Sequence, residues 1–165
     1  SFTRLSSVDP GFATPTDRVL TMLVSLTGPR FDKPAAVTAF WDELARVSAL
    51  PGVEAAGISV TVPPERAAFG DDYEIEGKPL PAGEEHPSVP VPFVSRDYRK
   101  TLGIPLLRGR WFDARDRADT PRVTVISESM ARRHFAGENP VGRRLKFGGR
   151  NQAHPLWRSL GWWAT

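Results

Sequence analysis

The stretch GENPVGRR at 137–144 sets Gly137 and Gly142 with four residues between them, as a phosphate-binding P-loop would. Such a loop needs Lys and then Ser or Thr after the second glycine, and this chain has Arg143 and Arg144 there. The P-loop works because it joins a strand to a helix N-terminus, so that backbone N–H groups converge on the phosphates. Here a helical pattern precedes the glycines and a strand pattern follows them, and Pro140 removes an N–H from the middle of the cradle. The stretch reads as a turn, with no nucleotide bound.

Other reactive residues are equally unsupported by their spacing. His86, His134 and His154 lie in unrelated contexts, and no pair shares a helix face as metal ligands would. Asp113, Asp116 and Asp119 recur every three residues, but Arg115 and Arg117 sit between them and the Asp/Asn/Gly pattern of a calcium loop is missing. They read as local ion pairs in a turn. Asp71 and Asp72 are adjacent, so in a strand or turn their carboxylates point apart. GISV at 57–60 lacks the second glycine of a nucleophile elbow. Phe40 and Trp41 could in principle stack bases, yet they fall on an apolar helix face and read as core. The sequence therefore assigns no catalytic, cofactor-binding or metal residue, expects no cofactor, and points away from an enzyme.

The elements that would position any site follow from periodicity. VLTMLVSL at 19–26 is apolar and β-branched, as a buried strand would be. Val37, Phe40, Trp41, Leu44 and Val47 recur at three-and-four spacing and predict a helix from 35 to 50, stopped by Pro51 and Gly52. A strand at about 53–60 would complete a βαβ unit. Residues 63–92 are rich in Pro and Gly around a half-exposed strand at Tyr73 and Ile75, which predicts an inserted, partly flexible lobe. VPVPFV at 89–94 carries two prolines and predicts an edge or irregular strand. Ser95 is expected to cap a short helix ending at Gly103. DARDRADTP is a polar turn, VTVI at 123–126 a core strand, Ser127 the cap of the helix ESMARRHF, and RRLKF a short strand. The expected fold class is α+β: a βαβ-type core with a mixed sheet, two or three helices and the Pro/Gly-rich lobe.

Bulk properties narrow the classes further. A chain of 165 residues, 40% hydrophobic and 25% charged, suits one globular domain. Cysteine is absent, which removes disulfides and thiol chemistry without fixing the redox compartment. No apolar run approaches the roughly 18–20 residues that span a bilayer, and Ser1 to Pro10 lacks the apolar core of a secretory signal. The segment reads as soluble, and its start at Ser1 fits a piece of something longer. Residues 1–94 hold 7 basic and 13 acidic residues, and residues 95–165 hold 15 and 6. That asymmetry fits two halves that neutralise each other on folding. The alternative is a nucleic-acid-binding domain using residues 95–150, which steeply salt-dependent DNA binding would reveal. An enzyme whose site assembles only in the fold would need a pocket holding perturbed titratable groups.

Three stretches together resemble one family. LPGVEAAGISVTVP at 50–63, DYRKTLGIPLLRGRWFDARD at 97–116 and PRVTVISESMARRHFAGENPVGRRLKF at 121–147 are similar to the MacB-like periplasmic core domain of ABC transporter permeases of the MacB/FtsX type. FTRLSSVDPGF at 2–12 resembles the segment that leaves a transmembrane helix in such permeases. The resemblance covers residues 2–149 in order. It departs where Ser127 replaces the usual Asn, which keeps the capping role, and where Arg99 replaces an aromatic residue. It implies an extracytoplasmic, periplasmic-side domain of a membrane-embedded permease, active in transport or mechanotransmission and without catalysis of its own. The implied partners are the permease's transmembrane helices, a second permease copy, a separate or fused ATPase, and a periplasmic adaptor or lipoprotein. No nucleic acid is expected.

The resemblance breaks at 150–165. The family continues into an apolar strand resembling IVGVVGD, whereas this chain reads PLWRSLGWWAT. One permitted codon choice for that stretch, read from the third base of the proline codon, gives VVAIVGVVG. The expectation is a frameshifted, aberrant tail that packs poorly, in which Trp157, Trp162 and Trp163 form no binding patch.

Overall fold

The amphipathic pattern beginning near residue 35 folds as a helix, α1 (Pro34–Ser48), which ends before Gly52 turns the chain at φ 85°. The computed structural model describes residues 13–25, 28–29, 34–60, 70–79, 83–117, 119–148 and 156–163. Two shorter helices follow, α2 (Tyr98–Leu102) and α3 (Glu128–His134). Six strands complete the order: β1 (Gly70–Ile75), β2 (Ser88–Pro90), β3 (Leu106–Gly109), β4 (Val123–Ser127), β5 (Arg144–Phe147) and β6 (Leu156–Trp163). The fold class is α+β with a mixed sheet, as the pattern predicts.

The sheet runs β2-β1-β5-β6-β3, and β4 joins on β6. β6 has antiparallel partners on one edge, β5 at residues 156–158 and β3 at 161–163. Its other edge carries β4 in parallel, from Arg158 opposite Val123 to Trp163 opposite Ser127. A parallel pair needs a crossover, and α3 followed by β5 supplies it. The βαβ relation therefore sits at β4-α3-β6 and not at residues 19–60. Residues 19–25 form no strand, and Leu20 and Leu23 are 95% and 96% exposed; Leu26 lies outside the described residues. Residues 53–60 make only one bridge, Ser59 opposite Val94.

Side chains explain most local choices. Ser127 caps α3 through Oγ, which accepts from Met130 N at 3.2 Å. Ser95 does not cap α2: its Oγ accepts from Ile58 N at 2.9 Å, which ties residues 57–60 to 93–95 instead. Gly103 ends α2 in the left-handed region at φ 64°. β2 is an edge strand that carries Pro90, as expected of a proline-broken run. β1 is more central than a peripheral lobe would be. Its Tyr73 and Ile75 join Ile126, Ala131, Phe135, Leu145 and Phe147 in the core. Residues 61–69 and 80–82, the rest of the expected lobe, lie outside the described residues.

In the described part of the tail, residues 156–163, the side chains do not pack poorly. Ser159, Leu160 and Gly161 are buried, and Trp157 and Trp162 pack half-buried against the core. An irregular apolar stretch reads as noise when local period is the only guide, but three neighbouring strands give it a place. One flaw remains in the fit: Ser159 is 0% exposed, and its Oγ has no hydrogen-bond partner. A buried hydroxyl without a partner costs stability. Ser159→Ala should therefore raise the unfolding free energy by about 1 kcal/mol, read as a higher urea midpoint at unchanged slope. A lower midpoint would show that the hydroxyl is satisfied.

Candidate functional site

The GENPVGRR stretch is a turn between α3 and β5. Gly137 and Gly142 have φ 78° and 88°, and Pro140 is buried. Gly142 N donates to Ser159 O at 2.7 Å, and Ser159 N donates to Arg143 O at 2.8 Å. Arg143 N donates to Pro140 O at 3.1 Å, so the N–H groups that a phosphate would need at Gly142 and Arg143 are engaged by β6 and by the turn itself.

The histidines stay apart. Nε2 of His134 lies 2.6 Å from the Tyr73 hydroxyl. Burial, with Arg133 and Lys78 nearby, lowers the His134 pKa, while burial raises that of Tyr73 against the pull of Arg133. Lys78 bridges this region by donating to His134 O at 2.7 Å and Glu138 at 2.8 Å. His86 faces Glu74 at 3.6 Å, and His154 lies outside the described residues. Among the described residues no cluster could hold a metal ion. Asp71 and Asp72 pair with Val89 and Ser88 on β2, where strand alternation turns their side chains apart.

The aspartates of the 110–120 loop form ion pairs. Arg110 grips Asp116 through two bonds of 2.7 Å, and Asp113 N donates to the same carboxylate at 2.8 Å. Arg115 holds Asp113 at 2.7 Å, and Arg117 meets Asp119 at 3.2 Å. The Arg110 bonds hold the Asp116 carboxyl below its usual range. A group with a depressed folded pKa stabilises fully above its unfolded value and loses that contribution as pH falls through the folded one. Asp116→Asn should cost about 1 kcal/mol at pH 7. The gap between the urea midpoints of wild type and variant should then close as pH drops from 4 towards 2. A gap that is constant with pH would show that the charge on Asp116 plays no part.

The acidic and basic halves also meet. Glu76 accepts from Arg144 at 2.7 Å, and Glu74 lies 3.9 Å from Lys146. Part of the basic region at 95–150 is thereby engaged by carboxylates of the first half.

What the folded chain offers is surface, in two places. The first is the extended strip at 19–25, where Leu20, Leu23 and Met22 (78% exposed) stand in solvent. Thr14 N donates to Leu102 O at 3.2 Å just before it, and Arg18 pairs with Glu54, so the base of the strip is anchored. The second is a groove of about 550 Å³ between α1, residues 91–97, the 112–124 loop and Trp157. Trp41 and Phe93 line it at 46% and 55% exposure. Trp41 is thus a wall of the groove and not core, as its helical position had predicted; its neighbour Phe40 is half-buried and meets it edge to face at 6.1 Å. Sequence reasoning missed both surfaces because apolar residues at strand or helix spacing signal burial, whoever supplies the cover.

Comparison with known proteins gives the surfaces a context. The family model described as the MacB-like periplasmic core domain matches residues 5–156. The crystal structure of the periplasmic region of MacB from Actinobacillus actinomycetemcomitans aligns with TM-score 0.51 and 18% identity, over 76% of this chain and 50% of that one. A domain of a permease protein from Porphyromonas gingivalis aligns with TM-score 0.37 and 15% identity, over 59% of this chain and 40% of that one. The chain spans about half the length of the MacB periplasmic region. No curated protein sequence matches it. No helix among the described residues is long and apolar enough to cross a membrane.

Proposed function

The chain belongs to the MacB-like periplasmic core domain family, and from that premise we propose that it relays movement between the membrane helices of an ABC transporter permease and partners outside the membrane. Members of this family sit on the extracytoplasmic side of the inner membrane as parts of such permeases. The family match over residues 5–156 carries the reading. The relay itself, the absence of catalysis, and the partners are the inference. Those partners are the permease's own helices, a second permease copy, the ATPase, and a periplasmic adaptor or lipoprotein. The anchored apolar strip at 19–25 supports it, since exposed leucines on an extended segment suit cover by another part of the assembly.

The test uses the complete permease with its ATPase, reconstituted in liposomes. This chain contains no cysteine, so Ser129→Cys, at an exposed position of α3, gives it one attachment point for a spin label. The distance between labels on the two copies should differ between the ATP-bound and ADP-bound states. In Leu20→Asp/Leu23→Asp, the ATP-dependent change should shrink while the label environment on α3 stays the same. Identical distance distributions in both nucleotide states would sink the relay, and an absence of inter-label coupling would remove the second copy.

A further inference from the structure

The groove beside α1 has a second property besides its aromatic walls. Three guanidinium groups and two carboxylates line it: Arg96, Arg117 and Arg122 against Asp97 and Asp116. Arg110 engages Asp116 and Asp119 engages Arg117. Neither Arg96 nor Arg122 has a carboxylate partner in hydrogen-bond or ion-pair contact among the described residues. The Arg122 guanidinium instead lies over the Trp157 ring, 5.5 Å from its centroid. A guanidinium held by a ring and not by a carboxylate keeps N–H donors for an anion.

We propose that this groove is a binding site for a small anionic amphiphile, a carboxylate, sulfonate or phosphate head on an aliphatic or aromatic body. The head pairs with Arg122 and Arg96. The body lies on Trp41, Phe93 and Phe112, whose rings offer large apolar area with little conformational freedom to lose. The volume of about 550 Å³ suits a ligand of this size. Charge selects the ligand: Asp97, the remaining carboxylate on the wall, disfavours a second negative group near Arg96, so one anionic head is taken and a cationic one is refused. The site is independent of the relay reading, because it rests on the groove's own residues.

The experiment is a titration of the 165-residue chain with dodecanoate below its micellar concentration, followed by calorimetry. Dodecyltrimethylammonium serves as the charge-reversed probe and dodecyl maltoside as the neutral one. Dodecanoate should saturate at one site, with at least tenfold weaker binding of the cationic probe. Arg96→Glu/Arg122→Glu should weaken dodecanoate tenfold or more, and Phe93→Ser should weaken dodecanoate and dodecyl maltoside alike. All of these side chains are at least partly exposed, and an unchanged urea midpoint confirms that the variants fold. Equal affinity for both charge signs would overturn the proposal, as would full affinity in the double arginine variant. Binding to phosphatidylglycerol vesicles with none to monomeric dodecanoate would also overturn it, since the ligand would then be a membrane surface.

Discussion

Gly109→Ala is expected to cost about 4 kcal/mol or more, enough to leave a domain of ordinary stability largely unfolded. Two independent penalties meet at this residue. Its backbone sits at φ 83°, in the left-handed region where a Cβ is strained. A Cβ there would also lie 2.1 Å from Leu160 O and 2.7 Å from the Gly161 Cα. The strain alone could be tolerated, but the collision cannot be relieved by a rotamer change because both neighbours are backbone. β3 would have to leave β6, breaking the pairing of Gly109 with Gly161 and the bond from Arg110 N to Leu160 O. Gly142→Ala supplies the control. It shares the strained φ at 88°, yet nothing lies within 4 Å of its missing Cβ, so the cost should stay near 1 to 2 kcal/mol. Urea unfolding followed by circular dichroism compares the two. Equal losses in both variants would show that β3 and β6 do not approach so closely.

Ending the chain at residue 155 should abolish cooperative unfolding altogether. β6 is the only strand that pairs with β3 and the only one that pairs with β4 among the described residues, and it closes the second edge of β5. Its removal exposes Leu145, now fully buried, together with Phe147, whose ring meets Trp157 edge to face at 5.8 Å. It also strips hydrogen-bond partners from three strands that would remain in water as open edges. The expected readout is loss of amide dispersion in a proton–nitrogen correlation spectrum and a featureless urea titration. A 1–155 chain that unfolds cooperatively near the wild-type midpoint would mean that β6 is an accessory.

This second prediction runs against what the sequence pattern alone led one to expect, and the reason is physical. Elements specified by their own neighbours in sequence were legible. Ser127 before a helical run, Gly103 after one, the Gly137–Gly142 turn and the β-branched run at 123–126 each carry a local signal, and each appears where predicted. Elements specified by distant contacts were not. Ser95 looks like a cap until Ile58 N takes its hydroxyl. Leu20 to Val24 look buried because apolar composition records that cover is needed and says nothing of who provides it. LWRSLGWW has no clean alternation, so its place between β4, β5 and β3 could come only from the fold. The constraints at that place are still informative. Position 159 is sealed from solvent, and a Cβ at 161 would lie 2.4 Å from Arg108 O. In the shifted reading VVAIVGVVG, taking each codon with the residue that shares two of its bases, isoleucine falls at 159 and glycine at 161. That reading meets both constraints, while the present one meets only the second.

As for the candidate site, its ion pairs were legible because Asp and Arg alternate over a few residues. The groove was not, since it gathers Trp41, Phe93, Arg122 and Trp157 from four separate stretches.

The central strand of the sheet is also the last of its described strands in chain order. Until residues 156–163 have been made, β3 and β4 have no ladder partner among the described residues, and only β2, β1 and β5 can pair. Long-range pairing of this kind makes folding slow compared with that of helical domains built on local contacts. Closure of the sheet therefore waits for β6, whose arrival joins β3 and β4 to the strands already paired.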